Sequence, residues 1–166
     1  MNRHVLSILV ENQAGVLSRV AGLFSRRGYN IDSLSVGVTE DDKYSRITVV
    51  VTCDENEIIQ IIKQVEKLVD VIRVVELDTK RAMIRELVLI KVTCDSATRA
   101  QIASVVDIFR ANIIDVATEA LTIEMTGNQS KIQALIDLIE PYGIKEIVRT
   151  GVTALCRGNG SIRKAK

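Results

Sequence analysis

The chain has 166 residues and a net charge of +1, so it is long enough for one ordinary domain or two small ones and has no electrostatic footprint for nucleic acid or a membrane surface. Hydrophobic residues make up 47% but aromatics only 3%, with no Trp, which leaves an aliphatic core. No apolar run approaches the length of a membrane span, and Met1-Asn2-Arg3-His4 leads into a strand without the apolar stretch of a signal peptide, so a cytoplasmic protein is expected.

Residues 5–10 form a short apolar run that reads as a strand. After a loop, Val16, Leu17, Val20, Ala21, Leu23 and Phe24 recur at helical spacing. Gly28 suits the end of that helix. Residues 30–38 alternate, with Leu34, Val36 and Val38 on one face and Ser33 and Ser35 on the other, and predict a second strand. Glu40-Asp41-Asp42-Lys43 is a polar hairpin loop, and residues 45–52 alternate again as a third strand. Asp54 and Glu57 have capping-box spacing before a helix carrying Ile58, Ile61, Ile62, Val65 and Leu68, and residues 71–77 read as a fourth strand. The order β-α-β-β-α-β is the ferredoxin-like split unit.

From about Met83 the order repeats. Residues 87–93 are a strand, Asp95 or Ser96 caps a helix through Arg110, and 113–116 and 120–125 are short strands. Residues 131–139 form a helix ended by Pro141, and 144–149 the last strand. Phe24-Ser25-Arg26-Arg27-Gly28-Tyr29-Asn30-Ile31-Asp32 is echoed by Phe109-Arg110-Ala111-Asn112-Ile113-Ile114-Asp115 at the matching junction. The expected architecture is α+β, two ferredoxin-like domains in tandem, 1–79 and 80–166, joined at Asp78-Thr79-Lys80-Arg81. In the first domain Val5 and Leu9 oppose Leu6, Ile8 and Val10, so the sheet face away from the helices is too apolar to stay bare. A homodimer joined through sheets or edge strands across a two-fold axis is expected, the alternative being that the second domain covers this face.

The segment Glu11-Asn12-Gln13-Ala14-Gly15-Val16-Leu17-Ser18-Arg19 carries the functional signal. Asn12 offers donors and acceptors, and Gly15 removes a Cβ that would block approach to backbone. The amides around Gly15, Val16 and Leu17 begin a helix without intrahelical partners, and the helix dipole adds an attraction for anions. The loop has no Lys and one Gly, unlike a P-loop or a dinucleotide fingerprint. A carboxylate therefore fits better than a phosphate. Apolar Val16 and Leu17 suit an aliphatic amino acid.

With Glu-Asn-Gln-Ala-Gly-Val-Leu-Ser-Arg-Val at 11–20, Gly-Leu-Phe-Ser-Arg-Arg-Gly-Tyr-Asn-Ile-Asp-Ser-Leu at 22–34 and Leu-Val-Asp-Val at 68–71, the chain resembles the small regulatory subunits of acetohydroxyacid (acetolactate) synthase. The likeness continues through Arg85-Glu86-Leu87, Ile113-Ile114-Asp115-Val116 and Arg149-Thr150-Gly151-Val152. It implies that 1–79 is an ACT domain and 80–166 a C-terminal ferredoxin-like domain. It also implies a homodimer that binds and activates a large catalytic subunit and confers feedback control by branched-chain amino acids, most often valine. Thiamine diphosphate, Mg and FAD would belong to the large subunit, with no cofactor in this chain. The implied effector site lies between protomers, with Asn12, Gln13, Ala14, Gly15, Val16 and Leu17 of one facing Asn30 and Ile31 of the other. Loop amides would hold the carboxylate, the Asn12 and Asn30 carboxamides the ammonium, and Val16, Leu17 and Ile31 the isopropyl group. The second domain has Cys94-Asp95-Ser96-Ala97-Thr98 at the equivalent loop, without Gly, and is assigned to assembly and large-subunit contact.

No catalytic residue is expected. His4 is the only histidine and reads as a solvent-facing residue at a strand start, and no cluster has metal-ligand spacing. Cys53, Cys94 and Cys156 are far apart and read as buried free thiols of a reducing compartment. Arg26 and Arg27 fall on the exposed side of the first helix, and Arg157, Arg163, Lys164 and Lys166 belong to a solvated tail. Two other readings compete. A free-standing amino-acid-sensing ACT protein regulating another target lacks support from any helix-turn-helix or basic face, and a small enzyme lacks a catalytic cluster.

Overall fold

The computed structural model describes residues 1–163, so Lys164 and Lys166 of the expected basic tail lie outside the described residues. Two compact units are present among the described residues: 1–84 together with 152–163, and Arg85–Gly151. In the first, β1 (Asn2–Glu11), α1 (Val16–Arg26), β2 (Ser33–Val38), β3 (Tyr44–Cys53), α2 (Glu55–Val65) and β4 (Val71–Glu76) follow in order. The antiparallel sheet runs β2-β3-β1-β4, the ferredoxin-like arrangement.

Periodicity explains the packing. Val16, Val20, Leu23 and Phe24 of α1 and Ile58, Ile61 and Val65 of α2 are buried at three- and four-residue spacing. They pack on Leu6, Ile8, Val10, Ile47, Val49 and Val51, which share one sheet face because they alternate along paired strands. The expected capping box is present: the Asp54 carboxylate accepts from the Asn56 and Glu57 amides, and Glu57 accepts from the Asp54 amide. Strand β2 begins at Ser33 rather than at residue 30. Asn30 and the Thr52 hydroxyl both donate to the Asp32 carboxylate, and the Asp32 amide donates to the Val50 carbonyl at 2.9 Å, so 30–32 leads into the strand as an irregular segment.

The opposite sheet face is indeed covered, and its occupant corrects the route from that face to a dimer. Val5 and Val50 pack with Leu77, Ala82, Val152 and Ala154 of the same chain, so no second copy is required there. Residues 152–156, assigned from sequence to the second domain, return to the first unit and carry an unexpected short strand, β9 (Thr153–Cys156), paired with β5 (Ala82–Thr93).

The second unit repeats the order with β5, α3 (Arg99–Phe109), β6 (Asn112–Val116), β7 (Ala120–Gly127), α4 (Gln129–Ile139) and β8 (Ile144–Arg149), its sheet running β6-β7-β5-β8. Val88, Ile90, Val92, Ile123 and Met125 meet Ile102, Val106, Ile132 and Leu135 in its core. Pro141 sits in a 3-10 turn, Glu140–Tyr142, that follows α4 directly.

His4 is a correction. It is 6% exposed, paired with Val51 inside the sheet, and its Nδ1 shares a 2.7 Å hydrogen bond with Glu76 Oε1. Pairing from Asn2 carries β1 past the apolar run that marked it in sequence, drawing His4 under the helical layer. All three cysteines are free, Cys53 and Cys94 buried.

Candidate functional site

The loop from β1 to α1 is built from its own polar residues. The Asn12 amide donates to the Lys43 carbonyl at 2.8 Å, and its side-chain Nδ2 to the Asp42 carbonyl at 2.8 Å. Asn12 Oδ1 accepts from the Ser45 hydroxyl at 3.0 Å. Asn12 is thus first a brace that clamps the loop to the β2–β3 hairpin, with one amide hydrogen and one lone pair left for a ligand. Gly15 caps α1 with φ 85 and ψ −10, a left-handed conformation that a Cβ disfavours. The first intrahelical bond is Arg19 amide to Gly15 carbonyl at 3.0 Å, so the Leu17 and Ser18 amides at the helix start precede the ladder and point outward.

A cation that the sequence reading assigned no role stands beside this loop. Arg19 Nε donates to the buried Asp70 carboxylate at 2.6 Å, and Asp70's own carbonyl accepts the Glu11 amide at 2.9 Å. A Cβ built on Gly15 would lie 3.0 Å from Arg19 Nη1. The guanidinium is pinned along the loop with one edge on Asp70 and about half its side chain open to solvent. Open helix-start amides and a fixed guanidinium are both groups that attract a carboxylate. The available signal was the four-residue spacing from Gly15 to Arg19, which places both on one helix face.

The other expected residues divide. Gln13 and Ala14 are exposed in the loop, and Leu17 is 39% exposed beside it. Val16 is only 3% exposed with its side chain in the core and cannot wrap an isopropyl group, and its amide, expected to be open, donates to the Gln13 carbonyl at 3.4 Å. Asn30 is exposed and Ile31 packs partly on the core. Both follow the far end of α1, whose 11 residues span about 16 Å at roughly 1.5 Å each, so one protomer does not bring them to Gly15.

The equivalent loop of the second unit is filled from within. Asp95 accepts from the Ala97 amide at 2.9 Å, the Thr98 amide at 2.7 Å and the Thr98 hydroxyl at 2.8 Å, while Arg99 Nη2 donates to the Ala117 and Thr118 carbonyls. Asp95 or Ser96 was expected as the helix cap; α3 instead starts after Thr98, with Asp95 bracing the turn before it. These bonds, that from the Thr98 amide foremost, hold the Asp95 carboxyl below its ordinary value near 3.8. A depressed carboxyl stabilises the fold above the unfolded-state pKa, and this contribution is lost as pH falls through the lower folded-state pKa. Asp95→Asn is therefore expected to flatten part of the stability loss below about pH 4, checked by urea midpoints across that range.

Among the described residues no group of three or more His, Cys, Asp or Glu is placed to hold a metal, and no helix is long and apolar enough to cross a membrane.

Residues 6–73 match the family model described as the AHAS small subunit-like ACT domain, and 85–158 match that described as the small subunit of acetolactate synthase. The chain is 51% identical over 163 residues to the putative acetolactate synthase small subunit of Mycobacterium tuberculosis H37Rv, covering 98% of this chain and 97% of that one. It is 45% identical over 157 residues to the acetolactate synthase small subunit of Bacillus subtilis, covering 94% and 91%. The crystal structure of the acetolactate synthase small subunit from Thermotoga maritima superposes with a TM-score of 0.89 at 42% identity, covering 96% of this chain and all of that one. Because these matches include the second unit, a free-standing sensor is not favoured. The chain belongs to the family of acetolactate synthase small subunits, the regulatory and non-catalytic part of that enzyme.

Proposed function

We propose that two copies of this chain bind a branched-chain amino acid, valine foremost, between the Gly15 loop of one protomer and the Asn30–Ile31 turn of the other. Occupancy is passed to the large catalytic subunit, which the small subunit binds and activates, and so provides feedback control of valine, leucine and isoleucine synthesis. The observation that carries this reading is the open start of α1 at Gly15 with Arg19 fixed beside it. A carboxylate there gains about 0.3–2 kcal/mol from the helix terminus and a charge-assisted bond from the free edge of Arg19. Leu17 and the partner's Ile31 offer apolar wall.

The two-copy arrangement is supported by distance, since Asn30 and Ile31 lie a helix length from the loop within one chain. It is also supported by β2, an edge strand whose Val36 and Val38 are 50% and 56% exposed. Such a ligand favours the assembled interface by its differential affinity, with a coupling of about 1–3 kcal/mol. Thiamine diphosphate, Mg and FAD chemistry belongs to the large subunit, in the cytoplasm.

Calorimetry of the purified chain with valine, leucine, isoleucine and phenylalanine tests the effector. Heat from the aliphatic ligands, followed by valine-dependent change in the rate of a reconstituted large subunit, is the expected result. Absence of heat with all four contradicts it.

A further inference from the structure

On the sheet face of the first unit away from the helices, three strands contribute a row of small polar side chains. Ser7 pairs with Thr48, and Thr48 with Ser35, so the three side chains lie abreast, with Ser33 beside Val50 one step along. Across β2 and β3 lies the segment from Val152 into β9. The Val152 amide donates to Ser33 Oγ at 2.6 Å, Ser35 Oγ donates to the Val152 carbonyl at 2.8 Å, and Arg46 Nη2 donates to the Ala154 carbonyl at 2.8 Å.

This seam is incompletely satisfied. Ser7 Oγ and Arg46 Nε are buried without a hydrogen-bond partner among the described residues, and burial lowers the pKa of Arg46 through desolvation. Unmet polar groups under a packed segment favour its displacement, whereas a fully apolar seam resists it. Gly151, with φ 80, turns the chain immediately before the segment, and residues up to Gly151 belong to the second unit. Ser33 follows Asn30 and Ile31 by three and two residues, so the clasp on Val152 sits beside the proposed effector turn.

We propose that residues 152–156 form the output arm of the effector site, and that Ser33 and Ser35 are positioning residues that convert occupancy at Asn30 and Ile31 into a change in the hold on Val152. The chain carries that change through Gly151 toward the second unit. This rests on the effector reading above. Movement of the start of β2 shifts two hydroxyls that grip both the amide and the carbonyl of one residue, so a small displacement alters two bonds at once.

The Val152 amide hydrogen reports on the clasp directly. Hydrogen exchange in the full-length chain, with valine binding measured first by calorimetry, is expected to change at Val152 by at least about 5-fold on saturation, the lower end of ordinary coupling. Ser33→Ala and Ser35→Ala are expected to retain valine binding, with affinity shifted by no more than about the same factor, while the reconstituted holoenzyme's response to valine falls by a similar factor. Its rate without valine is expected to remain, and Ser35→Thr to restore the response. Should the variants fail to fold, the wild-type exchange measurement still decides. Valine that binds with no change at Val152, or variants that keep the full response, overturn the arm and leave the effector site standing. No valine binding at all overturns the effector reading and the arm with it.

Discussion

Gly15→Asp is expected to abolish valine binding while leaving the fold and the assembly of the chain intact. The position is exposed, and Asp is an accepted helix cap that tolerates the left-handed region better than most residues. Its Cβ would lie 3.0 Å from Arg19 Nη1, the mobile end of a long side chain, so the new carboxylate pairs with Arg19 and occupies the anion seat from within. A ligand carboxylate then meets a like charge at a cost of about 3 kcal/mol or more, a loss of roughly 100-fold in affinity. In the second unit a carboxylate, Asp95, likewise accepts from amides of its own loop, those of Ala97 and Thr98. Gly15→Ala, which strains the same φ without adding charge, is expected to lose less. Calorimetry on both variants separates charge from strain, and unchanged affinity in Gly15→Asp contradicts the carboxylate seat.

Phe24→Ala is expected to have the largest effect on stability. Phe24 is fully buried, the largest such side chain of the first unit, and truncating a buried Phe costs about 3–5 kcal/mol. Because a typical domain has only about 5–15 kcal/mol in total, the variant folds but with a large drop in its denaturant midpoint. The damage is directional. The Tyr29 amide donates to the Phe24 carbonyl at 3.0 Å, and Tyr29 packs on the same core, so the ring fixes where the chain leaves α1 and presents Asn30. Denaturant unfolding with valine titration at low temperature is expected to show the stability loss together with weaker binding. A drop under about 0.5 kcal/mol, the range of ordinary surface substitutions, contradicts the packing role.

Much of this was legible in the chain because aliphatic periodicity alone distinguishes strands from helices here. Val16, Val20, Leu23 and Phe24 mark the buried stripe of α1, and Asp54 with Glu57 marks the start of α2, whatever the tertiary context. Long-range pairing was not legible. The four residues Thr153–Cys156 are too short to show alternation, and their place is set by contacts distant in sequence: pairing with β5, Arg46 on the Ala154 carbonyl, and Ser33 and Ser35 on the preceding Val152. His4 looked exposed because its neighbours Asn2 and Arg3 are polar, yet strand pairing carries it inward. In the site, Gly15 and Asn12 stood out by residue type. The orientation of Val16 did not, since an apolar residue at a helix start serves core or ligand equally in sequence. Arg19 and Asp70 are joined only by the fold, which brings the end of the α2–β4 turn against α1.

The central claim is that each effector site takes its loop from one protomer and its Asn30–Ile31 turn from another. Mixed dimers of Gly15→Asp and Asn30→Ala chains test it most directly, with each homodimer measured alongside. Each homodimer carries the same defect in both sites and is expected to bind valine weakly or not at all. In the heterodimer, one shared site collects both defects and the other receives a normal loop and a normal turn. The expected result is one valine bound per heterodimer at wild-type affinity. Heterodimers with no wild-type site would show that loop and turn act within a single chain, contradicting the account.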